Sequence, residues 1–301
     1  MTIDAAILAQ GLSKTFPGGV QAVAGLDLAV PAGAVYGLLG RNGAGKTTAI
    51  RLLMGLLRAD GGSARVLGQD LWQARPAHRC RVAYVSQEQR LPGWMTLAEL
   101  CCYASHVHPA WDQPYAERLA GRFGLDLRRQ AGAQSGGEQR KAAILLALAA
   151  RPGVLIMDEP AAGLDPVARR ELLDALIESL GEGRGQTVLF STHIIQDLER
   201  VADHVGIMDR GRLACTAPLD ALQSSMRRVQ IVFPGAAVPD GFTLPGEVRA
   251  QRSGPVYTAV VRVAGTDTLE GLDQRLGARV DVFPLGLEDI FIELVGTAGG
   301  A

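Results

Sequence analysis

Lys46 is one of only three lysines in a chain whose positive charge comes almost wholly from arginine. It closes a glycine-rich run that reads Gly40-Arg41-Asn42-Gly43-Ala44-Gly45-Lys46-Thr47-Thr48. Four positions between Gly40 and Gly45, followed by a lysine and a hydroxyl residue, form the spacing that turns backbone N–H groups inward around phosphate oxygens. Lys46 then sets an ammonium against the outer phosphates, and the Thr47 hydroxyl can ligate Mg2+. An apolar run at 35–39 precedes the glycines and a helical pattern at 47–57 follows them. The run therefore joins a strand to a helix, and the helix start adds the positive end of its dipole.

Two further constellations narrow the chemistry. Val154-Leu155-Ile156-Met157-Asp158-Glu159 is an apolar strand that ends in two carboxylates. Such a strand delivers charge to the carboxyl edge of a sheet, where Asp158 can hold Mg2+ through its water shell and Glu159 can polarise an attacking water. Between the two lies Gln134-Ser135-Gly136-Gly137-Glu138, at the start of a helical run through 142–150. Ser135, Gly136 and Gly137 at a helix start make a second anion-binding end. Two such ends with one complete triphosphate site make sense if two chains meet head to tail, each Ser-Gly-Gly closing the nucleotide of the other.

The elements that must position these residues follow an α/β pattern. Short apolar runs at 35–39, 82–85, 154–157, 188–190 and 205–208 predict buried parallel strands. Helical spacing lies between them at 47–57, 166–180 and 194–202, which implies a mostly parallel sheet covered by helices. Residues 3–30 predict short antiparallel strands at an edge, and from about 90 to 150 helices take over as a subdomain. The cassette-like part is expected over 1–225. A small α+β appendage is expected over 226–301, with strands at 229–233 and 257–263, a short helix near 268–276 and a last element at 287–295.

Composition sets outer bounds. A length of 301 residues with 48% hydrophobic and 20% charged residues gives ample material for a core. The net charge of -1 argues against a partner held by nucleic-acid electrostatics. Cys80, Cys101, Cys102 and Cys215 show no C-x-x-C spacing, which points to a reducing cytoplasm. The N-terminus lacks a basic-then-apolar layout, and no apolar run approaches the roughly 20 residues of a membrane span. Cys101, Cys102, His106 and His108 have no matching ligand pair elsewhere and read as structural.

Taken in order, the glycine-rich run, Gln87 in Tyr-Val-Ser-Gln, Ser135-Gly136-Gly137, Asp158-Glu159, Ala162-Gly163-Leu164-Asp165 and Ser191-Thr192-His193 resemble the ATP-binding-cassette family over roughly residues 3–220. The resemblance implies a P-loop cassette fold that binds Mg-ATP and hydrolyses it. It also implies dimers, homo- or heterodimeric, on the inner face of the membrane, working on a separate transmembrane permease subunit. By the family's pattern Gln87 senses Mg2+ and the γ-phosphate, Asp165 lies across the dimer seam, and His193 contacts the γ-phosphate and orients the water of Glu159. Phe16 stands where the family places an aromatic that stacks on adenine; an edge-strand core residue is the other reading.

The chain departs from the family's usual Leu-Ser-Gly-Gly-Gln at both ends, with Gln134 and Glu138. Gln134 is expected to lose packing, and Glu138 to bring negative charge near the anion. His108-Pro-Ala-Trp111-Asp112 and the closing Leu287-Glu-Asp-Ile-Phe resemble the ATPase subunits of bacterial ABC-2-type exporters. The alternative is a soluble cassette ATPase acting on nucleic acid or ribosomes, against which stand the single cassette, the absence of sustained heptads and the lack of a basic tail.

Overall fold

Two long strands near the N-terminus, β1 (Ala5–Phe16) and β2 (Val20–Pro31), form an antiparallel hairpin in the computed structural model. The structure describes residues 4–181, 185–235, 237–263, 269 and 271–296. β3 (Val35–Leu39) leads through residues 40–45 into α1 (Lys46–Leu53), followed by β4 (Gly61–Val66), α2 (Pro76–Arg79) and β5 (Val82–Val85). Helices then take over as α3 (Leu97–Val107), α4 (Gln113–Phe123) and α5 (Gly136–Ala149). Strand and helix alternate again through β6 (Val154–Asp158), α6 (Pro166–Gly181), β7 (Thr187–Thr192), α7 (Ile195–Val201), β8 (His204–Asp209) and β9 (Arg212–Pro218).

The sheet order β5-β6-β7-β3-β8-β9 puts β3 between β7 and β8, with β5, β6, β7, β3 and β8 running parallel. Every residue of β3, β6 and β7 is buried, as expected of strands covered on both faces. The antiparallel strands form a separate sheet, β2-β1-β4, and not an edge of the parallel one. α1 lies between the two sheets. Its Ile50 and Leu53 join Ile7, Leu12 and Val30 on one side and Leu38, Ile156 and Leu189 on the other in a single core. Each such side chain contributes roughly 1.5–3 kcal/mol on burial, so α1 is pinned along its length and its N-terminus is fixed in place.

The helical block is anchored by its caps. Thr96 and Glu99 form a capping box at α3, and the Asp112 carboxylate accepts the Tyr115 N–H at the start of α4. α5 is buried along 142–145 and 147–149, which makes it the centre of the block and explains why its sequence is apolar on nearly every face.

The chain divides into two compact units, Met1–Thr216 and Ala217–Ala301. The second contains α8 (Leu219–Ser224), β10 (Met226–Val232), β11 (Glu247–Ser253), β12 (Val256–Arg262), α9 (Leu272–Leu276), β13 (Arg279–Pro284) and α10 (Leu287–Gly296). Its antiparallel sheet, β11-β12-β10-β13, packs Val229, Ile231, Tyr257 and Val261 against Leu272 of α9. Phe233, Phe242 and Tyr257 meet edge to face, with ring centroids 5.1 and 5.0 Å apart. The division falls before α8, ahead of the 225/226 boundary expected from sequence. Of the helix expected near 268–276, residues 268 and 270 lie outside the described residues. The sequence reading passed over β4, β11 and β13, whose polar or mixed residues carry little periodicity.

Candidate active site

The parallel register decides which strand ends meet. Leu39 pairs with Thr192, and Asp158 pairs with Ser191. The carboxyl ends of β3, β6 and β7 therefore open side by side, where α/β sheets bind ligands. A cleft of about 410 Å³ lies there, lined by residues 41–48 together with Ala22, Gln87 and Glu159. Its glycines serve different needs. Gly43 has φ +82° with open space around it, so only its backbone conformation demands glycine. A side chain at Gly40 would strike the Met208 carbonyl at 2.6 Å. Gly45 combines φ +104° with an approach of 2.2 Å to the Ala22 carbonyl. No side chain caps α1, and its first turn holds no acid, which leaves its N–H groups available to an anion.

Four charged or titratable groups converge. Lys46 is buried, and its Nζ donates to the Gly40 carbonyl at 2.7 Å while lying 3.2 Å from Glu159 Oε1. The other Glu159 oxygen, Oε2, is 2.8 Å from His193 Nδ1, which must carry the proton because a carboxylate only accepts. Asp158 is fully buried; its Oδ1 accepts from Ser191 Oγ at 2.6 Å. Asp158 Oδ2 has no hydrogen-bond partner among the described residues. A buried carboxylate oxygen left unpaired is costly, and a hydrated divalent cation satisfies it. The donor set fits magnesium, which takes one or two carboxylates plus phosphates and water in place of an all-protein cage. Thr47, Asp158 and Gln87 are the residues here that would hold it. His106 and His108, by contrast, turn their Nδ1 atoms to the carbonyls of Cys102 and Cys80.

Glu159 has φ +49°, a left-handed conformation that costs a non-glycine residue about 1–3 kcal/mol and persists only where its surroundings over-determine it. Its N–H donates to Ser191 Oγ at 2.9 Å, and its carbonyl accepts from Ala162 N at 3.1 Å and from Arg140 Nη1 at 2.9 Å. One serine hydroxyl thus serves both neighbouring acids. The sequence placed Ser191 in the Ser191-Thr192-His193 element without a role of its own; the available signal was a pair of polar residues, Ser191 and Thr192, closing an otherwise apolar strand.

The remaining candidates do not line this cleft. Phe16 ends β1 and is 38% exposed. Ser135 caps α5, with Gly136 exposed and Gly137 half-buried behind it. Asp165 accepts the N–H groups of Val167 and Ala168 at the start of α6, and the Ala168 bond is the main cause holding its carboxyl below the usual range. Glu138 does not present a bare charge. Its Oε2 accepts the Ser135 N–H at 2.7 Å and its Oε1 lies 3.1 Å from Arg129 Nη1. Gln134 is buried with Oε1 unpartnered among the described residues.

The sequence profile of the ABC transporter family matches residues 23–162. The daunorubicin/doxorubicin resistance ATP-binding protein DrrA of Streptomyces peucetius is 38% identical over 227 residues, spanning 73% of this chain and 68% of that protein. The chain belongs to the ABC transporter family. The cassette is also 33% identical over 279 residues to the Nod factor export ATP-binding protein I of Cupriavidus pinatubonensis, spanning 90% of this chain and 85% of that one. A solved ATP-binding subunit of an ABC transporter superposes with a TM-score of 0.66 at 28% identity, over 73% of this chain and 92% of its own. Members of the family hydrolyse ATP to power transport, and this cassette is an ATPase. No helix among the described residues is long and apolar enough to cross a membrane.

Proposed function

We propose that this cassette hydrolyses Mg-ATP to energise export through a separate membrane-spanning subunit, on the inner face of the cell membrane. The observation that carries the hydrolytic assignment is the chain of contacts from Lys46 through the Glu159 carboxylate to His193. Residues 40–48 wrap the phosphates with backbone N–H groups, and Lys46 moves its charge from the Gly40 carbonyl to the phosphate oxygens. Mg2+, when bound through Thr47, Asp158 and Gln87, supplies positive charge against the developing negative charge on the phosphates. Glu159 accepts the proton of the attacking water, while His193 keeps that carboxylate aimed and faces the γ-phosphate.

Ser135, Gly136 and Gly137 cap a helix away from their own chain's cleft, which supports head-to-tail pairing with a second cassette, a copy or a relative. In that pair they close on the nucleotide of the other chain, Asp165 lies at the seam, and Phe16 stacks on adenine. Export is supported by the drug-resistance and Nod-factor relatives above. The test is Glu159→Gln. Mg-ATP binding persists, hydrolysis slows by about 10²–10⁴-fold, and size-exclusion chromatography shows a dimer with Mg-ATP but not with Mg-ADP. Hydrolysis at a near wild-type rate refutes Glu159 as the base; tight ATP binding by a protein that stays monomeric refutes the shared site.

A further inference from the structure

Arg140 lies in the second turn of α5, two residues past Glu138, and the sequence assigned it no role. Its guanidinium is half-buried and reaches back toward the parallel sheet. Nη1 donates to the backbone carbonyl of Glu159 at 2.9 Å, and Nη2 donates to the backbone carbonyl of Gln87. One planar fork therefore joins α5 to both segments that carry hydrolytic side chains. Burial pushes the guanidinium below its ordinary pKa, while the Asp158 and Glu159 charges nearby oppose that shift.

The two carbonyls are places where a clamp matters. Glu159 has a left-handed backbone whose N–H and C=O are both tied, and Arg140 supplies one of the two bonds on the carbonyl. Gln87 is exposed in the loop after β5, and Arg140 is the partner of its carbonyl among the described residues. An arginine suits the task because its rigid fork can satisfy two acceptors in fixed geometry, which a lysine ammonium on a flexible stem does not.

We propose that Arg140 is a positioning residue for ATP hydrolysis: one guanidinium holds the carbonyls of Glu159 and Gln87 and so sets the Glu159 carboxylate and the Gln87 side chain together. It acts through those residues and does not line the cleft. α5 also begins at Ser135, so the fork ties that helix to the hydrolytic centre of its own chain. The inference rests on Glu159 activating the water.

The test uses the full chain carrying Arg140→Met and Arg140→Lys, with steady-state ATPase kinetics and Mg-ATP affinity by titration calorimetry. In Arg140→Met, kcat falls on the order of 10- to 100-fold, the scale of a catalytic group displaced by about an ångström. KM and ATP affinity stay within about two-fold, the pattern of a loss confined to the hydrolytic step. Arg140→Lys falls between Arg140→Met and wild type. Added to Glu159→Gln, Arg140→Met lowers the residual rate by a smaller factor than it lowers the wild-type rate, because one of the two groups it positions is already disabled.

Wild-type kcat in Arg140→Met, or a fall in kcat matched by lost ATP affinity, overturns the proposal. So does an equal loss with and without Glu159→Gln. If Arg140→Met does not fold, Arg140→Lys carries the test, and an unchanged kcat there overturns it. Glu159→Gln hydrolysing at the wild-type rate overturns the parent reading as well; Glu159→Gln inactive beside a fully active Arg140→Met overturns this inference alone.

Discussion

Replacing Ser191 by alanine removes one hydroxyl and leaves two buried groups without partners. Ser191 Oγ donates to Asp158 Oδ1 at 2.6 Å and accepts the Glu159 N–H at 2.9 Å. A hydrogen bond to a charged group is worth about 1.5–3 kcal/mol, and an orphaned buried N–H costs about 1–3 kcal/mol. The hydroxyl links both, so the joint loss expected for Ser191→Ala is about 3–5 kcal/mol, a large share of a domain stability of about 5–15 kcal/mol. Ser179→Ala is the internal control, since its buried hydroxyl makes one neutral bond, to Gln186 Oε1 at 3.0 Å. Its expected cost is about 1–2 kcal/mol. The gap of about 2 kcal/mol corresponds to about a 30-fold difference in unfolding constant. Trp72, Trp94 and Trp111 all precede Thr216, so tryptophan fluorescence in a urea titration without nucleotide reports on the first unit. If Ser191→Ala costs no more than Ser179→Ala, the hydroxyl is not what secures the two acids, and the argument fails.

Two further outcomes follow from the cleft and from α5. Gly43→Ala meets only the left-handed penalty of about 1–2 kcal/mol, whereas Gly45→Ala adds overpacking against the Ala22 carbonyl for a total of about 2–5 kcal/mol. Thermal melts followed by fluorescence rank the pair, and equal costs contradict the reading. Glu138 has its carboxyl held below the ordinary 4.5, first by the Ser135 N–H and then by the Ser135 hydroxyl. Because the folded value is depressed, its contribution is present above the unfolded value and is lost as pH falls through the folded one. Glu138→Gln keeps a capping acceptor without titrating. The advantage of wild type over Glu138→Gln, measured as a difference in Tm, therefore shrinks between pH 7 and pH ~4; a constant difference rules out the capping charge.

The sequence determined what contiguous residues encode. Gly40 to Thr48 lie side by side along the chain, so the strand, the glycine turn and the helix start could be read with the phosphate chemistry already assembled. Asp158 and Glu159 were legible because a short apolar run ending in acids marks a buried strand reaching the sheet edge. Periodicity likewise marked the parallel strands and the helical block, since burial on both faces leaves an apolar signature. It said little about β4 or β11, where backbone pairing with neighbours holds polar residues in a sheet. Only the tertiary structure put Ser191 between the two acids, because that depends on the register of β6 against β7. It alone brought Arg140 to the carbonyls of Glu159 and Gln87. The two Arg140 bonds join a side chain to backbone atoms far along the chain. A backbone carbonyl is the same group at every residue, so its partner is chosen by packing and not by the residue's name.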